Sequence, residues 1–190
     1  MTDSRELIAR ILSGDPGAFT VLVRENERLV SQIVFRMVSG QHDREDICQD
    51  VFVKVYQNIG RFQYNSKLST WIARIAYNTS LNYLEKKKVP LYEDHCPEGE
   101  SVDSCECNDA SPAQWVHSRQ AAIRLCKEID TLPVVYGTIV SLFHLQDMSY
   151  AEIGQILSLP DGTVKSYLFR ARKMLKERML SHYSPEELCA

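Results

Sequence analysis

Apolar residues recur every three or four positions along most of this chain, and this spacing limits the fold more than any other feature of the sequence. No segment shows the sustained alternation with a period of two that a half-buried strand would show. The pattern therefore predicts an all-α fold of amphipathic helices. In the first half of the chain the repeat includes Leu7, Ile8, Ile11 and Leu12, then Leu29, Ile33, Val34 and Met37, then Ile47, Val51, Phe52, Val55 and Tyr56.

Turn-forming residues divide this pattern into segments. Ser13–Gly17 (SGDPG) and Ser39–Asp43 (SGQHD) each separate two helices, since glycine, proline, serine and aspartate favour turns. Residues 89–112 combine proline, glycine, serine and seven acidic residues with few apolar ones, a composition that cannot offset the entropy lost on ordering. We expect an N-terminal helical bundle at residues 1–88, a flexible acidic linker at 89–112, and a four-helix domain at 113–190.

The net charge of −3 conceals an uneven distribution of charged residues. The three segments carry 13 basic against 10 acidic, none against 7, and 9 against 8, so their net charges are +3, −7 and +1. The windows 61–88 and 165–178 each hold six basic residues and one glutamate. Two such basic patches are typical of a nucleic-acid-binding protein, although a solvated helix face can have the same composition.

The sequence shows no signal-peptide pattern and no run of about 18 apolar residues that could cross a membrane. We therefore expect a cytoplasmic protein with no membrane span, whose six cysteines are reduced thiols. The five histidines are scattered, and no metalloprotease, nucleophile-elbow or phosphate-loop motif is present. These observations argue against an enzyme, and we predict no catalytic residues and no cofactor.

A helix-turn-helix pattern begins at Ser149. Ser149 and Glu152 have the spacing of a capping box, which starts a helix, and residues 159–162 (LPDG) predict a turn. Asp161 or Thr163 can cap the next helix. One face of that helix carries the apolar stripe Val164, Leu168, Ala171 and Leu175. The opposite face carries Lys165, Ser166, Phe169, Arg170 and Lys173.

This opposite face has the chemistry of a DNA-reading surface. The second helix of a helix-turn-helix lies in the major groove with its first residues at base edges. Lys165, Ser166 and Arg170 are donors that reach guanine edges or phosphates, and Phe169 can contact a thymine methyl group. The alternative is an ordinary solvated helix face.

Two stretches of the chain resemble a known family. Residues 150–175 (YAEIGQILSLPDGTVKSYLFRARKML) resemble region four of bacterial sigma factors of the extracytoplasmic-function (ECF) group, where Y-x-E-I, a Pro-x-Gly-Thr-Val turn and S-x-x-F-R-A-R recur. Residues 44–56 (REDICQDVFVKVY), Phe62, residues 68–79 (LSTWIARIAYNT) and residues 82–84 (NYL) resemble region two of the same group. The two motifs follow the order of the family and cover most of the chain.

The resemblance implies that residues 113–190 read the minus-thirty-five element of a promoter as duplex DNA. Tyr167 stands where many members of the family carry arginine, and Lys165 where arginine is frequent, so the preferred bases are left open. The implied contacts are Tyr150, Thr163, Lys165, Ser166, Phe169, Arg170 and Lys173.

The resemblance further implies that residues 1–88 hold a base of the minus-ten element in a pocket and so melt the promoter. Stacking surface, edge hydrogen bonds and basic side chains offset the cost of taking a base out of the stack. Lys86 is expected to follow phosphates, or is a solvated helix end. The implied contacts are Phe62, Asn65, Ser66, Lys67, Asn78 and Lys86.

Region two of the family also docks on the clamp coiled coil of core RNA polymerase. The implied contacts here are Asp46, Gln49, Asp50 and Phe52. Acids beside an aromatic residue suit a partner helix rich in arginine, although Phe52 can instead belong to the bundle core. The family also implies an anti-sigma factor as a partner, which clamps the two domains and hides their DNA-binding faces.

Two other interpretations remain open. A helix-turn-helix repressor or response-regulator output domain would explain residues 130–181, but it leaves residues 44–84 without a role. A metal or redox sensor is suggested by Cys96, Cys105 and Cys107, but their spacing is not a standard zinc pattern. We predict no metal site, and whether these three thiols bind metal or sense redox state is open.

Overall fold

The computed structural model describes residues 4–87 and 124–183. The linker expected at 89–112, with Cys96, Cys105 and Cys107, lies outside these residues. The described residues form helices and no strand, so the predicted all-α fold is confirmed. The helices are α1 (Ser4–Leu12), α2 (Pro16–Met37), α3 (Gln41–Asn58), α4 (Leu68–Lys86), α5 (124–130), α6 (Val134–Leu145), α7 (Tyr150–Leu157) and α8 (Asp161–His182), with a 3-10 turn at Ile59–Arg61 after α3.

The break predicted at Ser13–Gly17 lies between α1 and α2. Gly14 has a φ angle of 89°, a left-handed conformation that glycine adopts without steric cost. Asp15 then caps α2, because its Oδ1 accepts hydrogen bonds from the amides of Gly17 at 2.8 Å and Ala18 at 3.3 Å. The Arg10 guanidinium bonds the other carboxylate oxygen of Asp15, which lowers the pKa of that carboxyl.

Helix α2 forms the centre of the N-terminal bundle, where α1, α3 and α4 pack against it. Its inward face follows the spacing seen in the sequence, and each large apolar side chain that leaves water there contributes about 1.5–3 kcal/mol to stability. The side chains that are less than 2% exposed in this core include Leu22, Val30, Val34, Val38, Val51 and Ile72.

The capping box predicted at the start of α7 is present. The Ser149 hydroxyl accepts from the Glu152 amide at 3.3 Å, and the Ser149 amide donates to Oε2 of Glu152 at 2.9 Å. The stripe of Val164, Leu168, Ala171 and Leu175 on α8 is buried, as predicted. Helix α8 packs against both α6 and α7, which fixes the opposite face of α8 toward solvent.

The turn of the helix-turn-helix differs from the prediction in one respect. The predicted caps Asp161 and Thr163 are wrong, because Pro160 holds the cap position of α8 without a side-chain hydrogen bond. The Pro160 carbonyl oxygen instead accepts from the amide of Thr163 at 2.9 Å. Ser158 ends α7 in the left-handed conformation, with φ of 58°. The ring of Pro160 restricts its φ angle to a value that suits the start of a helix.

The end of α8 is attached to α5. His182 Nδ1 lies 3.0 Å from Oε1 of the buried Glu128, and this contact lowers the pKa of the Glu128 carboxyl. The Arg178 guanidinium donates to the carbonyl oxygen of Thr131 at 3.0 Å. These contacts close the C-terminal group of helices around the core of α6 and α8.

The N-terminal and C-terminal helices also pack against each other. Helix α4 contacts α7, and α2 contacts α6. Within the part of the chain that the structure describes, no helix combines the length and apolar character that a membrane span requires.

Replacing Gly154 with alanine is expected to lower the free energy of unfolding by about 1–3 kcal/mol. The added methyl group would lie 2.7 Å from the Leu159 carbonyl oxygen, a backbone atom of the turn. Gly162→Ala is the control, because nothing lies within 4 Å of its added methyl group. Alanine favours a helix by up to about 1 kcal/mol over glycine, so this variant should be as stable as the parent or more so. Urea unfolding followed by circular dichroism checks both, and equal midpoints would contradict the expectation.

Candidate nucleic-acid interface and docking groove

A cavity of about 350 Å³ opens where the loop after the 3-10 turn meets the first turns of α4. Three of the residues predicted from the sequence, Phe62, Asn65 and Ser66, lie in its wall. The full lining is Arg61, Phe62, Gln63, Asn65, Ser66, Thr70, Trp71, Arg74 and Gln155.

Aromatic side chains form one wall of this cavity. The Phe62 ring is only 8% exposed and lies 5.4 Å from the Trp71 ring and 4.9 Å from the Tyr64 ring, centroid to centroid. Tyr64 is reached by Arg5, whose guanidinium carbon is 5.2 Å from the ring centre. Phe62 therefore acts as packing for the wall, while the half-buried Trp71 offers flat surface to a ligand.

Polar and basic groups face the aromatic wall. The Thr70 residue is 2% exposed, and its hydroxyl has no hydrogen-bond partner among the described residues. A buried polar atom in this state costs about 1–3 kcal/mol of stability. Arg61 and Arg74 are exposed at the same cavity. The cavity thus combines a stacking surface, a hydrogen-bonding edge and two cations, a combination suited to an unpaired nucleotide.

The other predicted minus-ten residues lie outside this lining. Asn78 is exposed on α4, one turn beyond Arg74. Lys86 is exposed at the end of α4, about 27 Å along the helix axis from Leu68. Both stay predictions as DNA contacts, and their positions suit a strand that runs along α4 rather than a base inside the cavity.

Lys67, which follows Ser66 of the cavity lining, pairs with the C-terminal helices. Its Nζ atom is 2.9 Å from Oε1 of Glu152. This ion pair first, and the Ser149 amide second, lower the pKa of the Glu152 carboxyl from its usual 4.5 to about 2. No sequence pattern indicates this contact, because the two residues are far apart in the chain and lie on different helices or loops.

The DNA-reading face predicted on α8 is directed away from the core. Lys165, Ser166 and Lys173 are exposed, whereas Phe169 and Arg170 are half-buried. The Ser166 hydroxyl donates to the Gly162 carbonyl oxygen at 2.9 Å. The face therefore presents two lysines and an arginine around one aromatic ring.

Two tyrosines near this face have packing roles. Tyr150, a predicted phosphate contact, stacks on Phe143 with ring centres 5.2 Å apart. Tyr167 packs edge-on against Tyr136 at 5.4 Å. Position 167 therefore contributes to the core between α6 and α8.

Arg172 is a basic residue of this region that the sequence patterns did not single out. Its guanidinium carbon lies 5.4 Å from the centre of the Phe143 ring, and its Nη2 lies 3.1 Å from Nε2 of His144. Burial first, and Arg172 second, lower the pKa of the His144 imidazole. A neutral His144 accepts a hydrogen bond from Arg172, which holds the arginine against α6.

An open groove of about 710 Å³ runs between α2 and α3. Phe19 and Tyr56 meet edge-on across it with ring centres 5.0 Å apart. Val53 and Tyr56 are 53% and 55% exposed, which is unusual for side chains so apolar. The lining is Phe19, Val23, Cys48, Gln49, Phe52, Val53, Tyr56 and Gln57.

The predicted polymerase-binding residues lie along this groove. Gln49 and the half-buried Phe52 line it, so Phe52 packs on the bundle core and also faces the groove. Asp46 and Asp50 are exposed on α3, on the same helix face as Val53. The surface is thus an apolar groove with an acidic border.

Metal ligation has no candidate in the residues described. Neither residues 4–87 nor residues 124–183 contain a group of three or more histidine, cysteine or carboxylate side chains that could hold an ion. Cys48 and Cys126 are free thiols, and burial raises the pKa of Cys48.

Comparison with known proteins shows the family of this chain. The Sigma-70 region 2 family model matches residues 22–89, and the Sigma-70 region 4 model matches residues 124–175. The chain is 32% identical over 179 residues to the ECF RNA polymerase sigma factor SigW of Bacillus subtilis (92% of this chain, 96% of that one). It is 31% identical over 177 residues to the ECF RNA polymerase sigma-E factor of Escherichia coli K12 (91% and 92%). The chain belongs to the extracytoplasmic-function group of RNA polymerase sigma factors.

Solved structures share the fold. CnrH, in complex with the cytosolic domain of CnrY, superposes with a TM-score of 0.66 over 95% of this chain and 99% of that one, at 19% identity. The sigma factor RpoE of Bartonella quintana, in complex with the anti-sigma factor NepR, gives a TM-score of 0.61 over 87% and 98%, at 20% identity.

Removal of the Lys67 charge is expected to raise the pKa of Glu152. In Lys67→Met the pKa should move from about 2 toward 4.5 and stop short of it, because the Ser149 amide still donates to the carboxylate. The pKa of Glu152 is lower in the folded protein than in the unfolded protein. The pair therefore stabilises the fold fully at pH values above the unfolded-state pKa, and this stabilisation is lost as the pH falls toward the folded-state pKa.

Carbon-13 NMR titration of the Glu152 side chain measures this change. Lys176→Met, which removes an exposed charge from α8, is the control and should leave the titration unchanged. The same pKa in the Lys67→Met variant and the parent protein would show that the ion pair does not form.

Proposed function

We propose that this sigma factor binds core RNA polymerase and directs it to specific promoters, where it melts the minus-ten element and reads the minus-thirty-five element as duplex. In this proposal residues 1–88 bind the polymerase and the minus-ten element, residues 113–190 bind the minus-thirty-five element, and residues 89–112 join them. The observation that carries the proposal is the presence in one chain of a cavity suited to an unpaired base and a helix-turn-helix suited to duplex DNA.

The minus-ten role rests on the cavity at the start of α4. A base taken out of the stack needs a flat partner, and the half-buried Trp71 in the cavity lining supplies ring surface there. It also needs partners for its polar edge, which the Asn65 and Ser66 side chains of the lining can supply. Arg61 and Arg74 would neutralise the adjoining phosphates, and Asn78 and Lys86 would follow the strand along α4.

The minus-thirty-five role rests on α8. Lys165, Ser166 and Arg170 lie on its first three turns, opposite the stripe that packs on α6 and α7. A helix held in this way can enter the major groove without loss of its packing. Thr163 and Tyr150 lie at the starts of the two helices, where contacts to phosphates position the motif. Phe169 and Lys173 extend the reading surface.

Polymerase binding rests on the groove between α2 and α3. An arginine-rich helix fits its apolar floor with the aliphatic parts of its side chains, and its guanidinium groups reach Asp46 and Asp50. An anti-sigma factor is the second protein partner that we propose, since exposed apolar side chains on both halves of the chain offer it a binding surface.

Run-off transcription with purified core polymerase and a promoter library tests the function directly. Transcripts that require this chain would support the proposal, and their absence under conditions where a control sigma factor is active would overturn it.

Titration of the labelled chain with core polymerase tests the groove. Val53→Glu places a charge on its apolar floor and should raise the dissociation constant for core polymerase at least tenfold. Val21→Glu is the matched control on the opposite face of α2, at a residue that is 37% exposed. Equal affinities of the two variants for polymerase would exclude the groove as the docking site.

Two substitutions separate reading from phosphate binding. Arg170→Ala should remove the preference for one base pair of the minus-thirty-five element, at a cost of about 1–3 kcal/mol. Lys86→Ala should weaken binding to all promoter sequences alike and make it less salt-dependent. Competition binding of the holoenzyme to a promoter library measures both effects. A uniform loss in the Arg170→Ala variant would contradict the reading role.

A further inference from the structure

The loop after the 3-10 turn contains a tyrosine in a left-handed backbone conformation. Tyr64 has a φ angle of 58°. This conformation brings the Cβ atom of an L-residue close to the following carbonyl oxygen, so it is rare for a bulky residue. Such a conformation persists only where the surrounding structure holds it, and residues of this kind are concentrated at binding sites. The contacts of Tyr64 are therefore the ones that keep the loop in its present form.

The ring of Tyr64 contacts a cation and a second aromatic ring. The guanidinium carbon of Arg5 lies 5.2 Å from the centre of the Tyr64 ring, within the range of about 6 Å for a cation–π contact. The Phe62 ring lies 4.9 Å from the Tyr64 ring and 5.4 Å from the ring of Trp71 in the cavity wall. A series of contacts thus leads from α1, through the loop, to the first turn of α4.

Helix α1, which carries Arg5, is fixed to the bundle and contacts the 3-10 turn as well. The side chains that α1 buries in the bundle core are Leu7, Ile8 and Ile11. At the other end of α1, a Cβ atom added to Gly60 would lie 3.4 Å from Cδ2 of Leu12. Arg5 and Leu12 lie about 10 Å apart along the helix axis. Helix α1 therefore supports the 3-10 turn and the following loop at two separate points.

The residues on either side of Tyr64 belong to the cavity lining. Gln63 and Asn65 both line the cavity, whereas Tyr64 does not. Nδ2 of Asn65 donates a hydrogen bond to Oε1 of Gln63 at 3.3 Å. An amide side chain carries both donors and an acceptor, which suits it to the polar edge of a base. Because Tyr64 is the neighbour of both residues, a change of its backbone conformation would redirect both amides.

We propose that Tyr64, held by Arg5, is a positioning residue for the minus-ten cavity, where it fixes the loop so that Gln63 and Asn65 present their amides to one base of the single strand. This proposal rests on the function proposed above for that cavity. Arg5 and Tyr64 act through the backbone of the loop and make no contact with the base. They determine how strongly the cavity distinguishes one base from the other three.

Two variants release the loop from α1. Arg5→Ala removes the cation, and Tyr64→Gly removes the ring. Glycine adopts the left-handed conformation without steric cost and many other conformations as well, so the loop stays foldable but is no longer fixed. Arg5→Lys and Tyr64→Phe are conservative variants that retain a cation and a ring. Arg28→Ala is the matched control, because it removes an exposed arginine from α2.

Selection by the holoenzyme from a randomised 12-nucleotide single-stranded DNA library measures base preference at each position. The parent chain should prefer one base at the position that enters the cavity. Arg5→Ala should reduce this preference about two- to fivefold, the range that an exposed cation–π contact supports, and Tyr64→Gly should reduce it further. The two conservative variants and Arg28→Ala should retain it. Thermal unfolding followed by circular dichroism verifies that each variant is folded.

The double variant of Arg5→Ala with Tyr64→Gly tests whether the arginine acts through the tyrosine. Its base preference should equal that of Tyr64→Gly alone. A further loss in the double variant would overturn this order of action. Unchanged preference in both single variants, or a uniform loss of affinity without a change of preference, would overturn the positioning role and leave the minus-ten function in place. A parent holoenzyme with no base preference at any position would overturn both.

Discussion

Burial of the apolar face of α2 is the constraint on which the rest of the structure depends. This helix packs against α1, α3 and α4 on the N-terminal side and against α6 on the C-terminal side. Its buried positions have the spacing of a helix that is covered on more than one side. The groove, the cavity and the interface between the two halves are all built on helices that α2 holds in place, so their geometry follows from the core rather than from the loops.

The division between packing and recognition follows from helix geometry. In α8 the stripe headed by Val164 and Leu168 is buried, which leaves the basic side chains on the far side. The same helix geometry in α3 buries Val51 and Val55 in the bundle core and leaves Val53 exposed to solvent. The recognition surfaces that we propose need no loop of special shape, because a rigid helix presents its side chains at fixed spacing.

Local patterns in the sequence predicted much of the fold. The apolar repeat indicated the helices of the N-terminal bundle, and the Ser149 capping box indicated the start of α7. Both depend on neighbours within one or two turns, for which residue type is informative. The cap of α8 was mispredicted because Pro160 displaced the residues whose side chains are usual caps.

Only part of the candidate site was predictable, because some of its residues are brought together by contacts between distant parts of the chain. The loop that carries Phe62, Asn65 and Ser66 could be recognised from its composition and its resemblance to the family. Gln155 could not, since it reaches the cavity only through the packing of α7 on α4. The Arg36 contact with Asp130 joins residues 94 positions apart, and no periodic pattern records a pairing at that distance.

The two oxygens of the Glu152 carboxylate have different partners, and this has a thermodynamic consequence. Oε2 accepts from the amide and hydroxyl of Ser149, while Oε1 accepts from Lys67. Each contact holds the Glu152 side chain in the rotamer that the other contact requires. The two contacts therefore stabilise each other, and this coupling is reciprocal. Local fraying at the start of α7 weakens the hold on the neighbouring half of the chain, and separation of the halves makes that first turn more mobile. A single side chain thereby connects the order of one helical turn to the arrangement of the whole protein.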